Sequence, residues 1–414
     1  MHNNAAMTPP AASPAGSAPH PRLAPRQVAL ILLALAMGGF AIGTSEFVVM
    51  GLISEIARGL GVTEPQVGHV VSAYALGVVV GAPLLAILGA KLPRRTLLLW
   101  FMGFYAVGNL ASALSPSYGW MIVFRFVAGL PHGAYFGVAA LVAAHVSAPD
   151  KRGEAVGRVM LGLAVSLLVG NPLVTWLGQA ASWRYAFVVV TAIALATVAM
   201  IARVLPPGLG APRTDALREL RDFNRAPVWL ALGTGAIGFA GMFAVFAYLP
   251  PTLVHVTGVR DSFVPYALAA FGVGGICGSL AGGWLFDRFG FRGALLVLVW
   301  SLAVLLAFPL AARSPWTVLP AVAAVGTMGA LATVLQSHLM DVAGDAQTLA
   351  AASNHSAFNT ANALGPWLGG MAITAGYGWT STGYVGAATA LGGLAIYACA
   401  VANLRARRRA LAPG

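Results

Sequence analysis

Two ionisable side chains of opposite charge, Glu46 and Arg125, lie within long apolar stretches of this 414-residue sequence. Glu46 stands in "GTSEFVVMGL" (43–52), which contains no basic residue. A carboxylic acid in apolar surroundings is a candidate for binding and releasing a proton, and a guanidinium is a candidate for holding its ionised form. The alternative is a buried ion pair that only ties two helices together.

The composition indicates the class of protein in which these residues stand. Hydrophobic residues make up 58% of the chain and charged residues 9%, and the mean hydropathy is +0.80. Soluble domains carry about 25% charged residues, so the sequence predicts a membrane protein with many spans. Cys277 and Cys399 both fall in apolar runs, which argues against a disulfide framework.

Twelve apolar segments predict twelve transmembrane helices and therefore an all-α membrane protein, because lipid leaves only helices or closed barrels as spanning structures. Residues 205–227 divide the spans six and six. We therefore expect a disordered tail (1–26), a first bundle (27–204), a cytoplasmic linker (205–227), a second bundle (228–404) and a basic tail (405–414). The segments are 27–52, 66–90, 96–115, 119–145, 156–179, 184–204, 228–250, 263–286, 293–312, 315–340, 347–373 and 380–403.

The basic residues predict the orientation. If both termini are cytoplasmic, nineteen of the 24 lysines and arginines lie in the cytoplasm and four lie outside, as the positive-inside rule requires. We therefore expect an integral protein of the cytoplasmic (inner) membrane. The same distribution accounts for the net charge of +12 without nucleic acid, because the basic residues are spread over six loops and ends.

Glu46 and Arg125 have similar predicted depths, about 12 Å and about 10 Å from the outer surface. His132 lies two turns deeper than Arg125 on nearly the same side of span 4. Because the ordinary pKa of histidine is near neutral, His132 either relays a proton or binds substrate. The alternative is a neutral histidine hydrogen-bonded to a neighbouring helix.

Polar residues form a second candidate site on span 11, within "SNHSAFNTANALGPWLGG" (353–370). His355, Asn359 and Asn362 share one helical face, which should line a cavity or pair with a neighbouring span. Tyr74 and Phe243 are assigned to the same cavity from their aromatic character alone. Such groups suit drugs, sugars or nucleoside-like molecules equally.

Two Gly-Pro interruptions occupy corresponding positions in the two halves. Gly170 and Pro172 would interrupt span 5, and Gly365 and Pro366 would interrupt span 11. Broken helices at matching positions are typical of a moving transport site.

Several motifs resemble those of a known family. "GGWLFDRFGFR" (282–292) is similar to a cytoplasmic-loop motif of the major facilitator superfamily, and "RFVAGLPHGAYFG" (125–137) resembles the span-4 arginine motif of its twelve-span drug:proton antiporters. "NALGPWLGG" and the "GNP" of span 5 resemble the antiporter Gly-Pro motif, and "TSEFVVMGL" resembles span 1 of the arabinose-efflux-permease-like subgroup. The resemblance implies proton-driven export by rocking of two halves, with proton-coupling roles for Glu46 and Arg125.

The first-half copy of the loop motif departs from the family pattern at Ala90 and Pro93. Only the second-half copy is whole, so the predicted inner gate is one-sided. Its parts are Asp287, which would interact with the start of span 5, and Arg288 or Arg292, which would pair with Glu154. The alternative for the arginines is ordinary loop charge.

No motif indicates an enzyme. "GTGAIG" (233–238) matches a dinucleotide fingerprint but lies inside span 7 with no strand before it. Without a nucleotide site or cofactor, energy should come from an ion gradient, and the family resemblance implies that the ion is the proton. We therefore expect a monomeric secondary transporter exporting a small molecule, with protons and lipid as its other partners. The alternatives are an importer or facilitator of the same architecture and, less favoured, a transporter-like receptor.

Overall fold

The computed structural model describes residues 23–89, 91–148, 151–207, 225–342 and 347–411, and these residues form helices and no strand. The predicted tail 1–22 and most of the predicted linker (208–224) lie outside the described residues. The long helices are α1 (Pro25–Gly51), α2 (Glu64–Gly89), α3 (Arg94–Ala113), α4 (Tyr118–Val146), α5 (Arg152–Ala180), α6 (Trp183–Val204), α7 (Ala226–Ala247), α8 (Val264–Phe289), α9 (Arg292–Ala311), α10 (Pro315–Val342), α11 (Gln347–Ala372) and α12 (Ser381–Leu411).

Some of these helices are assembled from shorter pieces. The π-helical turn Ser166–Gly170 divides α5. In addition, α7 bends after Gly238 and α10 bends after Thr327, because new helical segments begin at Ala240 and Ala330. Short elements also lie between the long helices, namely Ile53–Leu60, Leu249–Thr252, Leu253–Thr257, Asp261–Phe263 and Ile373–Tyr377.

The helices have the length and hydropathy of membrane spans. In the described part of the chain, eleven helices are long and apolar enough to cross a membrane. The remaining long helix, α11, has 26 residues, and its polar residues, among them His355, Asn359 and Asn362, lower its hydropathy. The predicted all-α membrane fold is confirmed.

The predicted ends need correction in two places. Residues 25 and 26, assigned to the tail, already belong to α1, which begins with Pro25 at a position where a helix tolerates proline. At the other end, α12 continues to Leu411 rather than stopping near 403. The alanines, leucines and arginines of this stretch all favour helix, so the basic tail extends the last span.

Hydrogen bonds at the helix ends show which ends lie together. Gln27 at the start of α1 donates from Nε2 to the carbonyl of Val204 at the end of α6, 3.4 Å away. Arg184 at the start of α6 donates from Nη1 to the carbonyl of Ala113 at the end of α3, 2.6 Å away. These contacts place the start of α1 beside the end of α6, and the start of α6 beside the end of α3, as helices that alternate in direction require. We call the side on which α1 begins and α6 ends the termini side, and the opposite side the far side.

The packing partners repeat between the two sets of six helices. In the first half α1 packs on α5 and α6, α2 on α4, and α3 on α6; in the second half α7 packs on α11 and α12, α8 on α10, and α9 on α12. Contacts between the halves follow the same symmetry, because α2 meets α11 and α5 meets α8. The chain is thus a pair of six-helix repeats.

Glycines allow α2 and α4 to approach closely, and both helices carry residues of the candidate site. A Cβ atom on Gly77 or Gly81 of α2 would lie 2.1 Å from a carbonyl oxygen of α4, and one on Gly129 of α4 would lie 2.2 Å from the carbonyl oxygen of Tyr74. Close approach through small residues is a main source of packing energy in membranes.

We expect Gly129→Ala to lower the melting temperature of the purified protein, because its methyl group would push α4 away from α2 at a cost of about 1–3 kcal/mol. The matched control is Gly137→Ala on the same helix, where a Cβ atom meets nothing within 4 Å. Equal melting temperatures for the two variants, measured by thermal unfolding in detergent, would contradict this account of the contact.

Candidate functional site

Glu46 lies in the second half of α1 and bridges the two sets of six helices. Its side chain is 6% exposed, and Asn362 of α11 donates from Nδ2 to Glu46 Oε1 over 2.9 Å. Because α1 and α11 belong to different halves, this hydrogen bond crosses the interface between them. The sequence predicted that both residues matter, but it did not predict their contact.

Arg125 is fully buried and binds the residue that precedes Glu46. Its Nη1 donates to Ser45 Oγ over 2.8 Å, and its Nη2 donates to the carbonyl oxygen of Ser45 over 2.9 Å. The predicted direct ion pair with Glu46 is therefore wrong for this structure. The physical reason is the helical turn of about 100° between consecutive residues, which directs Ser45 towards α4 and Glu46 towards α11.

The guanidinium of Arg125 is surrounded by aromatic rings rather than by acids. It lies 4.1 Å from the centre of the Tyr74 ring and 5.5 Å from that of Phe187. Within the described residues, no carboxylate oxygen lies within 4.0 Å of it, and its Nε has no hydrogen-bond partner. A buried charge with so little direct compensation is costly, so it is expected mainly where function requires it.

Tyr74 connects Arg125 to His132. Its hydroxyl lies 3.0 Å from His132 Nδ1 and 3.1 Å from the hydroxyl of Tyr105, while its ring faces the guanidinium. Tyr74 and His132 are 1% and 2% exposed, so they lie inside the first half and do not line open space. The structure thus places the predicted cavity residue Tyr74 in the same hydrogen-bonded cluster as Arg125 and His132.

The polar face of α11 is directed towards the first half of the molecule. The ring of His355 stacks on Phe136 of α4, with centroids 5.8 Å apart and an angle of 2° between the planes. Asn359 is buried, and its Nδ2 donates to the His355 carbonyl while its Oδ1 has no partner among the described residues. The stripe therefore pairs with a neighbouring span, as the sequence predicted, and two acceptors on it, Asn359 Oδ1 and Asn362 Oδ1, have no partner among the described residues.

Aromatic packing joins the halves around Glu46. Phe47 stacks on Phe243 of α7 at 6.4 Å, and it meets Phe246 edge-on at 5.8 Å. Ser72 of α2 donates to the Ala363 carbonyl of α11 over 2.7 Å. Phe243, assigned to the cavity from its residue type, thus belongs to the interface between the halves.

Comparison with known proteins gives the family. The family model of the Major Facilitator Superfamily matches residues 35–299 and 235–413. The chain belongs to the major facilitator superfamily. It is 37% identical over 369 residues to the inner membrane transport protein YdhP of Escherichia coli (strain K12), covering 88% of this chain and 94% of that protein.

Two other relatives have informative names. The chain is 34% identical over 349 residues to the putative transporter AraJ of Escherichia coli (strain K12), covering 84% of this chain and 88% of the relative. It is 33% identical over 387 residues to a chloramphenicol resistance protein of Streptomyces lividans, covering 90% and 95%. The chain is therefore a membrane transporter and not an enzyme, and an efflux-like subgroup is supported.

The fold also matches a solved homologue of a transporter. A bacterial homologue of the human lysosomal transporter Spinster, in an inward-facing and unoccupied conformation, gives a TM-score of 0.72 at 18% identity, covering 93% of this chain and 98% of that chain. At this identity the likeness shows the fold alone.

The predicted inner gate of this transporter is not assembled in the structure. Glu154 pairs with Arg158 on its own helix at 2.5 Å, and within the described residues neither Arg288 nor Arg292 forms an ion pair with it. Arg158 lies one turn along α5, where it is the nearer partner for Glu154. Asp287 and Arg288 are exposed at the end of α8, and a gating role for them stays a prediction.

The two predicted helix interruptions differ from each other. In α5 the π-helical turn ends at Gly170, immediately before Asn171 and Pro172, so the helix is locally widened. In α11 the helix continues through Gly365 and Pro366 to Ala372, so the predicted break there is wrong.

Packing explains why α11 stays continuous. A Cβ atom on Gly365 would lie 2.4 Å from the Ala240 carbonyl oxygen of α7, and the Pro366 carbonyl accepts a hydrogen bond from Tyr248 at 2.8 Å. Contacts with a neighbouring helix thus support the Gly-Pro segment in helical form.

Sequence reasoning missed part of the site. Ser45 Oγ donates to Asn109 Oδ1, and Asn109 is itself fully buried. An asparagine within the apolar span "AVGNLASA" is a polar group in lipid and was a signal that could have been used. Ser45 and Phe136 carry no such signal, because small and aromatic residues are common in spans.

Proposed function

We propose that this transporter exports a small organic molecule in exchange for protons by alternating access. The observation that carries the proposal is the buried hydrogen bond between Glu46 and Asn362, because it places a titratable group on the surface where the two halves meet. A change of protonation there acts directly on the contact that must change when the halves rock.

The partner of Glu46 suits both of its protonation states. The Asn362 amide offers one donor group and one acceptor, and its Oδ1 has no partner among the described residues. Ionised Glu46 accepts from Nδ2, and protonated Glu46 can in addition donate to Oδ1. Proton binding would therefore add a hydrogen bond across the interface without breaking the first.

Because Arg125 is buried near Glu46, binding of a proton by Glu46 changes the net charge between the halves. It is the guanidinium of the buried cluster, and it binds Ser45, which is adjacent to Glu46. The pair carries no net charge when Glu46 is ionised and a charge of plus one when Glu46 is protonated. A gradient that loads and unloads Glu46 therefore changes the charge buried between the halves, which supplies differential stability to the two conformations.

The hydrogen bonds between the halves indicate which side of the molecule is closed in this conformation. Within the described residues, the hydrogen bonds between the halves are Glu46 with Asn362, Ser72 with Ala363, and Gln179 with the Asp261 carbonyl, all near the Glu46 level or on the far side of it. If the far side is external, as the arginine distribution predicts, these hydrogen bonds close the outer side of this conformation, which supports loading of substrate from the cytoplasm.

The names of relatives suggest uncharged polar molecules as substrates. One relative is a chloramphenicol resistance protein, and a protein of Pasteurella multocida that is 26% identical over 379 residues is named a probable sugar efflux transporter. The unpaired acceptors of Asn359 and Asn362, with the His355 and Phe136 rings, fit hydroxyl-bearing and aromatic groups.

We expect everted membrane vesicles that contain the protein and carry a respiration-driven pH gradient to release protons when a substrate is added. The probes are chloramphenicol, a set of pentoses and hexoses, and nucleosides, followed with a pH-sensitive dye and with radiolabelled uptake. Vesicles without the protein are the control. Uptake that stops at equal concentrations inside and outside, with or without a pH gradient, would instead indicate a facilitator. Release of preloaded substrate together with protons from the vesicles would indicate an importer.

A further inference from the structure

A cavity lies on the termini side between α9 and α12, away from the candidate transport site. It is open to the surface, has a volume of about 760 Å³ and lies between the beginning of α9 and the last turns of α12. Its lining includes Arg292, Leu295, Leu394, Tyr397, Val401 and Arg405.

The cavity combines two unpaired cations with an apolar wall. Arg292 and Arg405 are exposed, and within the described residues neither forms an ion pair or a side-chain hydrogen bond. Asp287, the acidic residue closest to Arg292 in sequence, makes no ion pair with either arginine. The wall beyond the arginines is apolar, since Leu295, Leu394 and Val401 line the same space.

The two arginines lie at the level expected for lipid headgroups. Arg292 is the first residue of α9, and Arg405 lies 24 residues after Ser381, which is about 36 Å along α12 and slightly more than the hydrocarbon thickness of about 30 Å. From Arg405 the cavity follows α12 towards the membrane centre as far as Leu394, a distance of about 16 Å.

We propose that this cavity binds an anionic phospholipid, with the phosphate held by Arg292 and Arg405 and an acyl chain lying along Leu295, Leu394 and Val401. Guanidinium groups bind phosphate oxygens through paired donors. Tyr397, which has no side-chain hydrogen bond within the described residues, adds a hydroxyl donor beside the arginines. Inorganic phosphate would leave the apolar wall without contacts, whereas a phospholipid would contact both the arginines and the wall.

The test is native mass spectrometry of the full-length protein in detergent, titrated separately with phosphatidylglycerol, phosphatidylcholine and inorganic phosphate. We expect phosphatidylglycerol to bind more tightly than phosphatidylcholine. Arg292→Gln with Arg405→Gln should weaken phosphatidylglycerol binding by about fivefold for each arginine removed. The matched control is Arg260→Gln with Arg313→Gln, which removes two exposed arginines on the far side and should leave binding unchanged.

A second variant tests whether lipid binding requires the apolar wall in addition to the two arginines. Val401→Trp keeps both arginines but fills the apolar wall, so it should weaken phosphatidylglycerol binding as well. Melting temperature and elution volume are checked for each variant to confirm that it is folded. Unchanged lipid binding in the double arginine variant, unchanged binding in Val401→Trp, or displacement of lipid by equimolar inorganic phosphate would each overturn the proposal.

Discussion

We expect Glu46→Gln to abolish gradient-driven transport while leaving the fold intact. Glutamine has the shape of glutamate, and its Oε1 can still accept the hydrogen bond from Asn362 Nδ2 that the structure places at 2.9 Å. The contact between the halves is thus kept, but the side chain can no longer bind or release a proton. In everted vesicles, substrate accumulation should fall to the level seen without a pH gradient, and the substrate-induced proton release should disappear.

The matched control is Glu64→Gln at the start of α2, which removes a carboxylate outside the buried cluster and should retain transport. Counterflow, in which labelled substrate exchanges without net proton movement, should continue in Glu46→Gln because the binding site and interface are kept. Full active accumulation by Glu46→Gln would refute proton coupling through this residue. Loss of counterflow with an unchanged melting temperature would instead assign Glu46 to substrate binding.

The sequence could single out Glu46 and Arg125 because charge is rare in the spans, and the structure shows both side chains buried. In apolar segments, two formal charges of opposite sign are a strong signal whatever the fold around them. Their partners could not be predicted, since neighbouring residues on a helix face different directions. Ser45 faces Arg125 while Glu46 faces Asn362, and the choice is made by the packing of α1 between α4 and α11.

The fold was predictable in outline for a similar reason. Length and hydropathy define the helices, and the long linker divides them into two sets of six. The interruption in α11 was predicted wrongly because a Gly-Pro pair can either break a helix or let another helix pack against it. The close contact of Gly365 with the Ala240 carbonyl of α7 shows that this pair serves helix packing. The two segments are far apart in sequence, so the sequence alone did not reveal the contact.

The predicted pairing of Glu154 with Arg288 or Arg292 was wrong for a related reason. The sequence offered Arg288 and Arg292 as partners for Glu154, but Arg158 lies four residues away on the same helix and forms the pair. Local spacing favours such intrahelical pairs over contacts that need two halves in one particular arrangement.

We expect Arg125→Gln to lower the melting temperature and to abolish gradient-driven transport. The change removes two hydrogen bonds from a charged donor to Ser45 and the stacking on Tyr74, a loss of about 3 kcal/mol or more. Arg125→Lys separates geometry from charge, because lysine keeps the cation but has no planar fork to bind Ser45 Oγ and the Ser45 carbonyl together. A melting temperature equal to that of the unmodified protein in both variants would contradict the structural role of these hydrogen bonds.

Combining Arg125→Gln with Glu46→Gln tests whether the two residues act as one electrostatic unit, although they make no direct ion pair here. If the charge of Arg125 is balanced by Glu46 through Ser45, removing both charges should destabilise the protein less than the two single changes together. The coupling expected between residues in one network is about 0.5–3 kcal/mol, read from the melting temperatures of the four proteins in the cycle. Strict additivity would mean that Glu46 and Arg125 act separately, and the charge change on protonation would then have no buried partner to act upon.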